Sequence, residues 1–147
     1  MITRRTRQED TTLKKNLGGL VLLGDLGGET PLVVLGALLS AYEKLTAEGD
    51  AFRERMRVLG DSRFIEQQKN PINRSSHLKA KERLQRLIVF GGNVVAANLH
   101  LEDPATLLGI AMTASEVLSR QDADVHRERY QRAGHKHLFA SSSPKMS

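Results

Sequence analysis

"LGGLVLLGDLGGETPLVVLG", residues 17–36, is apolar enough for a buried helix, yet adjacent glycines interrupt it at Gly18–Gly19 and again at Gly27–Gly28. Each glycine in a helix interior costs about 1 kcal/mol relative to alanine. A second stretch, "FGGNVVAANLHLEDPATLLG" at residues 90–109, repeats the grammar. A shift of 73 positions lays Gly18 and Gly19 on Gly91 and Gly92, Leu26 on Leu99, Glu29 on Glu102, Pro31 on Pro104, Gly36 on Gly109 and Glu43 on Glu116, with no gap. After a slip of one residue, "DAFRERMRVLG" from Asp50 lies on "DVHRERYQRAG" from Asp124, so Arg53, Glu54, Arg55 and Gly60 meet Arg127, Glu128, Arg129 and Gly134. Nearly the whole chain therefore reads as two copies of one unit.

Each unit reads as three helices. In the first, Leu84, Leu87, Ile88, Gly91, Val94 and Val95 recur at three- and four-residue intervals, as do Leu13, Leu17, Leu20 and Val21 in the other copy. The second helix starts at Thr30–Pro31 or Asp103–Pro104, where an N-cap oxygen precedes a proline whose missing N–H costs nothing. Its stripe is Val34, Leu35, Leu38, Tyr42 and Leu45, matched by Leu107, Leu108, Ala111, Ser115 and Leu118. The third is expected to be short and basic, closing at Gly60 or Gly134 with a left-handed cap. Gly18, Gly19 and Gly36, with Gly91, Gly92 and Gly109, are expected to face one another so that backbones approach closely, offsetting their poor helix propensity. The competing reading breaks the helix into a turn at each pair.

The expected fold is all-α: two tandem three-helix units, residues 1–65 and 76–140, joined by a polar linker at 66–75 and followed by a disordered tail at 141–147. A unit of about 60 residues has little core of its own. The two are therefore expected to pack as a pseudo-two-fold pair forming one compact domain. The alternative is a ribbon-helix-helix-like pseudo-dimer with "MITRRTR" as a strand, against which the equivalent "SSHLKAK" has little strand propensity.

The 147 residues are 39% hydrophobic and 27% charged, as in one ordinary globular domain. With no cysteine, disulfides and thiolate sites are excluded and the commonest zinc ligand sets are gone, so neither metal nor cofactor is expected. The longest uncharged run, Leu87–Leu101, falls short of the roughly 20 residues that span a bilayer. A soluble, cytoplasmic chain away from the membrane is the expectation. No Walker A, G-x-G-x-x-G or H-E-x-x-H pattern occurs, and no catalytic constellation emerges, so an enzyme is not expected. Glu102–Asp103 reads as helix-start charge offsetting the macrodipole, and His135 and His137 as part of a solvated tail.

Net charge is +5, distributed as +3 over residues 1–15, −4 over 16–52, +1 over 53–68, +5 over 69–86, −3 over 87–119 and +3 over 120–147. The basic clusters are Arg4, Arg5 and Arg7 ahead of the first helix, Lys14 and Lys15 on its polar side, and Arg74, Lys79, Lys81, Arg83 and Arg86 in the second copy. Such side chains neutralise phosphates and give affinity that salt weakens steeply. Aromatic residues are 4% of the chain, which leaves no stacking platform for single strands and favours duplex DNA. Arg53, Arg55 and Arg57, with Arg127, Arg129 and Arg132, either continue this surface or pair with glutamates inside their helices.

"LKKNLGGLVLLGDLGGETPLVVLGALLSAYEKL", residues 13–45, followed by an Arg-rich helix and Gly60, resembles the small conjugal transfer protein family called TraD on Ti-like and mobilisable plasmids, which is unrelated to the coupling ATPase of that name. The likeness covers the first copy nearly end to end and is weaker in the second, where Phe90 and Asn93 replace leucines. It implies an accessory part in plasmid mobilisation near the relaxase and the transfer origin. Family members are normally a single unit, so the tandem here is a departure. Two readings follow: a non-enzymatic DNA-binding accessory protein, or a module that holds the relaxase or another transfer protein through its apolar stripe. A further homodimer of the fused pair is compatible with either.

Overall fold

A computed structural model describes residues 4–69 and 80–142, with side chains described over 10–69 and 80–139. Among the described residues there are six helices: α1 (Arg4–Leu23), α2 (Pro31–Glu48), α3 (Asp50–Lys69), α4 (Ala80–Ala96), α5 (Pro104–Val117) and α6 (Ala123–Ser142). No strand occurs among them, so the fold is all-α. The strand alternative at "MITRRTR" gives way, because α1 already runs from Arg4.

Local chemistry explains most boundaries. Thr30 sits in extended conformation ahead of Pro31, and its Oγ1 accepts from the Val33 N–H at 3.4 Å. Asp103 occupies the same position before Pro104 but caps nothing with its side chain, a correction to the expectation above. Gly49, at φ 64°, ends α2 in the left-handed region that glycine enters freely, and its N–H reaches the Leu45 carbonyl at 2.8 Å. The stops after α1 and α4 use Asp25 and Asn98 at φ 69° and 61°, short polar residues that tolerate this region. Each is followed by a fully buried leucine, Leu26 or Leu99, whose N–H bonds back to Val21 or Val94 at 3.2 or 3.1 Å. That is the Schellman closure with its customary apolar anchor.

Gly60 and Gly134 cap nothing. They lie inside α3 and α6, both 20 residues long, so the third helices are neither short nor ended by glycine. Residues 66–69 of the expected linker are helical, since α3 continues to Lys69, and its residues 70–75 lie outside the described residues; His135 and His137 lie on α6 rather than in a tail.

The helices associate in three pairs, α1 with α4, α2 with α6 and α3 with α5, each joining one half of the chain to the other. Within a half, only α2 and α3 touch to any extent. Glycine makes the pairs. The hydrogen in place of a side chain points at the main chain of Leu87 from Gly18 and at that of Lys14 from Gly91. Likewise Gly36 meets Tyr130, Gly134 meets Leu32, Gly60 meets Ala105 and Gly109 meets Met56, each at the main chain. In every pair one helix offers residue i and glycine i+4 to the same two positions, in reverse order, of its partner. The helices therefore run antiparallel, with Cα–H groups against carbonyls as at other close helix crossings.

The glycines were expected to face each other, and they do not. Each faces the main chain of a residue four positions, about one helical turn, before the partner's glycine. A Cβ at Gly19 or Gly92 would meet nothing within 4 Å beyond its own helix, so only one member of each adjacent pair serves the close crossing. α1 and α4 remain unbroken helices through both pairs. Around the crossings a single apolar cluster spans both halves, with Leu17, Val21, Val34, Leu38, Phe90, Val94, Leu107 and Ile110 among its buried members. Of the predicted stripes, Leu13, Leu84 and Tyr42 lie at the exposed margin.

Candidate nucleic-acid interface

The basic clusters take their positions from the α1–α4 crossing. Arg4, Arg5 and Arg7 lie within the first turns of α1 rather than ahead of it, and that turn contains no acidic residue. Cations there oppose the positive end of the helix macrodipole, which favours an anion at that point. Lys81 and Arg83 occupy the first turn of α4, with Glu82 between them. Antiparallel pairing puts Lys81 level with the far end of α1. At 1.5 Å per residue, the two basic helix starts are about 28 Å apart along the pair. The cations are thus divided between opposite ends of one helix pair rather than gathered in one patch.

Lys14 and Lys15 lie near the crossing and are half-buried, and the Lys14 Nζ pairs with Asp10 Oδ2 at 3.1 Å. Among the described residues Lys15, Lys81 and Arg83 have no acidic partner. Arg86 is turned inward: it donates to the Gly27 carbonyl and stacks its guanidinium 5.7 Å from the Phe90 ring centre. It ties α4 to the turn before α2 instead of extending the cationic surface. Arg74 and Lys79 lie outside the described residues. Gly18, Gly36, Gly91 and Gly109 act in packing, as set out above.

The arginines of α3 and α6 are engaged inside the molecule. Arg53 grips Glu102 with two bonds, Nε to Oε1 at 2.7 Å and Nη2 to Oε2 at 3.1 Å, and reaches Asp50 at 2.8 Å. Arg127 grips Glu29 in the same way, at 2.8 and 2.9 Å, and reaches Asp124 at 3.1 Å. The hydrogen bond to its glutamate, then the charge of that glutamate, raises the pKa of each guanidinium. Both clamps cross between halves. Their glutamates are 14% and 18% exposed, so water competes weakly for them. Glu102 is therefore a clamp rather than helix-start charge.

Arg57 sits between Glu54 and Asp61, and its bond to Glu54 holds that carboxyl below the usual glutamate range. Arg55 pairs with Glu48, Arg132 with Glu128, and Arg129 with the His126 ring. Both clamps escaped the sequence reading, although Glu29/Glu102 and Arg53/Arg127 recur together under the shift. Their distance in sequence hid the pairing.

Two surface grooves among the described residues offer no catalytic set. One of about 580 Å³ runs along α6 past Arg127, Glu128, Gln131, Arg132, His135 and Lys136. The other, about 450 Å³, lies beside Arg86 and the Thr30–Pro31 turn. Neither places a hydroxyl nucleophile beside a histidine among its lining residues. Among the described residues no cluster of histidine and carboxylate could hold a metal ion, and no helix is long and apolar enough to cross a membrane.

No curated protein and no solved structure matches the chain. A family model does, and it falls on the second half, where the sequence likeness had been weaker. Over residues 78–140, which hold α4, α5 and nearly all of α6, the chain matches the family described as conjugal transfer protein TraD.

Proposed function

We infer that this chain is a non-enzymatic, cytoplasmic accessory protein of plasmid conjugation, whose two halves form a pseudo-two-fold intramolecular pair and hold duplex DNA near the transfer origin. The observation that carries this reading is the pair of basic helix starts at opposite ends of the α1–α4 crossing. Their separation, about 28 Å along the helices, approaches the roughly 34 Å of one duplex turn, so both ends reach phosphates on one face of a single site. The match to a conjugal transfer family supports the setting. Contact of this kind fixes position on the backbone and carries no base sequence by itself.

An electrophoretic shift with origin-containing duplex at low and moderate salt tests the proposal. Five phosphate contacts predict a loss of affinity of roughly 10²- to 10³-fold between about 50 and 200 mM salt. Absence of retention at low salt sinks it in favour of a module that holds the relaxase or another transfer protein.

A further inference from the structure

All three glycine crossings and both arginine–glutamate clamps join residues 4–69 to residues 80–142. Two polar contacts behave alike: Ser115 Oγ donates to the Asp25 carbonyl at 3.3 Å, and Asn98 Nδ2 donates to the Tyr42 hydroxyl at 3.3 Å. Since only α2 and α3 touch within a half, neither half covers its own apolar faces. Leu17 and Val21 of α1 are buried while α1 packs chiefly on α4, and Phe52 and Met56 of α3 while α3 packs chiefly on α5. The surface that completes each half is thus chiefly supplied by the other.

We propose that this surface also pairs between chains: residues 4–69 of one copy hold residues 80–142 of a second copy, and the reverse, giving an exchanged dimer with every crossing and clamp intact. The inference rests on the packing alone and is independent of DNA binding. Exchange leaves the described halves and the contacts between them as they are, and Lys69 and Ala80 are joined in sequence by ten residues. A short link of this kind supplies an effective concentration of about a millimolar, so the closed single chain prevails in dilute solution. Exchange takes over where copies crowd or where the closed pairing is penalised.

Charge reversal at the clamps supplies that penalty. One full-length variant carries Glu29→Arg with Arg53→Glu, which sets a cation against Arg127 and a carboxylate against Glu102. The other carries Glu102→Arg with Arg127→Glu, which sets a cation against Arg53 and a carboxylate against Glu29. Each chain is mismatched when closed. In an exchanged dimer of the two, the reversed halves fit each other and so do the native halves.

Refolded together in equal amounts, the variants are expected to give a 1:1 species of twice the monomer mass by light scattering. Its Tm should lie within a few degrees of the parent chain and above that of either variant alone. A mixture that only superimposes the two separate profiles overturns the proposal, whether or not the variants fold by themselves. As a second arm, parent chains bearing two different tags are refolded together at millimolar and at micromolar concentration. Mixed-tag dimers at the higher concentration support exchange, and their absence there refutes it.

Discussion

Replacing Gly91 by alanine sets a methyl group 2.6 Å from the Lys14 Cα, and nearer still to its carbonyl oxygen, where ordinary contact begins at 3.4 Å. The obstacle is main chain, so no rotamer change relieves it, and α1 and α4 must part by about 1 Å or more. Parting loosens the seam that buries Leu17, Val21, Phe90 and Val94. Overpacking of this kind costs about 3 kcal/mol at the unyielding end of the range, and the gain of roughly 1 kcal/mol in helix propensity offsets only part of it. The net loss is about 2 kcal/mol.

The adjacent Gly92→Ala meets nothing within 4 Å, so the same propensity term stands alone and stabilises by up to about 1 kcal/mol. Neighbouring substitutions of identical chemistry should therefore differ by about 3 kcal/mol, or roughly 6–12 °C in Tm for a chain of this size. Thermal and urea unfolding followed by circular dichroism at 222 nm reads both. Gly18→Ala and Gly19→Ala should repeat the contrast, since Gly18 abuts Leu87 and Gly19 faces open space. Equal Tm values for the members of either pair would refute the close crossing as the reason for these glycines.

Other measurements follow from the same geometry. Thr30→Ala should cost about 1 kcal/mol in urea unfolding through loss of its cap bond, whereas Asp103→Ala, which removes no such bond, should cost clearly less. Because Arg57 depresses the Glu54 pKa, the stabilisation from that pair is present above the unfolded glutamate value near 4.5 and is lost as pH falls through the lower folded value. Glu54→Gln should accordingly flatten the acid limb of Tm against pH below about 5, and the difference should shrink in high salt because the pair is exposed. For DNA, Lys81→Gln with Arg83→Gln should lower the slope of log affinity against log salt by roughly 2 without shifting Tm, while Arg86→Gln, which loses its bond to the Gly27 carbonyl, should lower Tm and leave the slope nearly unchanged.

Periodicity made the six helices and the Thr30–Pro31 and Asp103–Pro104 starts legible, because amphipathic spacing and a capped proline are local signals. Gly60 and Gly134 misled for a physical reason: glycine serves equally as a helix stop and as a place where another backbone comes near, and nothing within a few residues separates the two uses. The actual left-handed stops at Asp25 and Asn98 were overlooked because neither is glycine. The glycine pairs announced close approach but not its target, which lies on a helix some 70 residues away. The candidate interface was legible only as a list of cations. That Lys81 and Arg5 lie at opposite ends of one helix pair, and that Arg86 turns inward, follows from tertiary direction and from a carbonyl at Gly27.

The main-chain crossings also bear on how freely this sequence can drift. Sliding either helix of a pair by one residue would drive a Cβ into a carbonyl, so register is enforced by exclusion and needs no particular interlocking of side chains. The buried positions that align between the halves under the shift carry different side chains: Leu17 against Phe90, Val33 against Thr106, Ala37 against Ile110, Met56 against Tyr130. An alignment grammar written in the backbone lets the oily filling vary in bulk, and it concentrates mutational intolerance in six small residues that carry no chemistry at all.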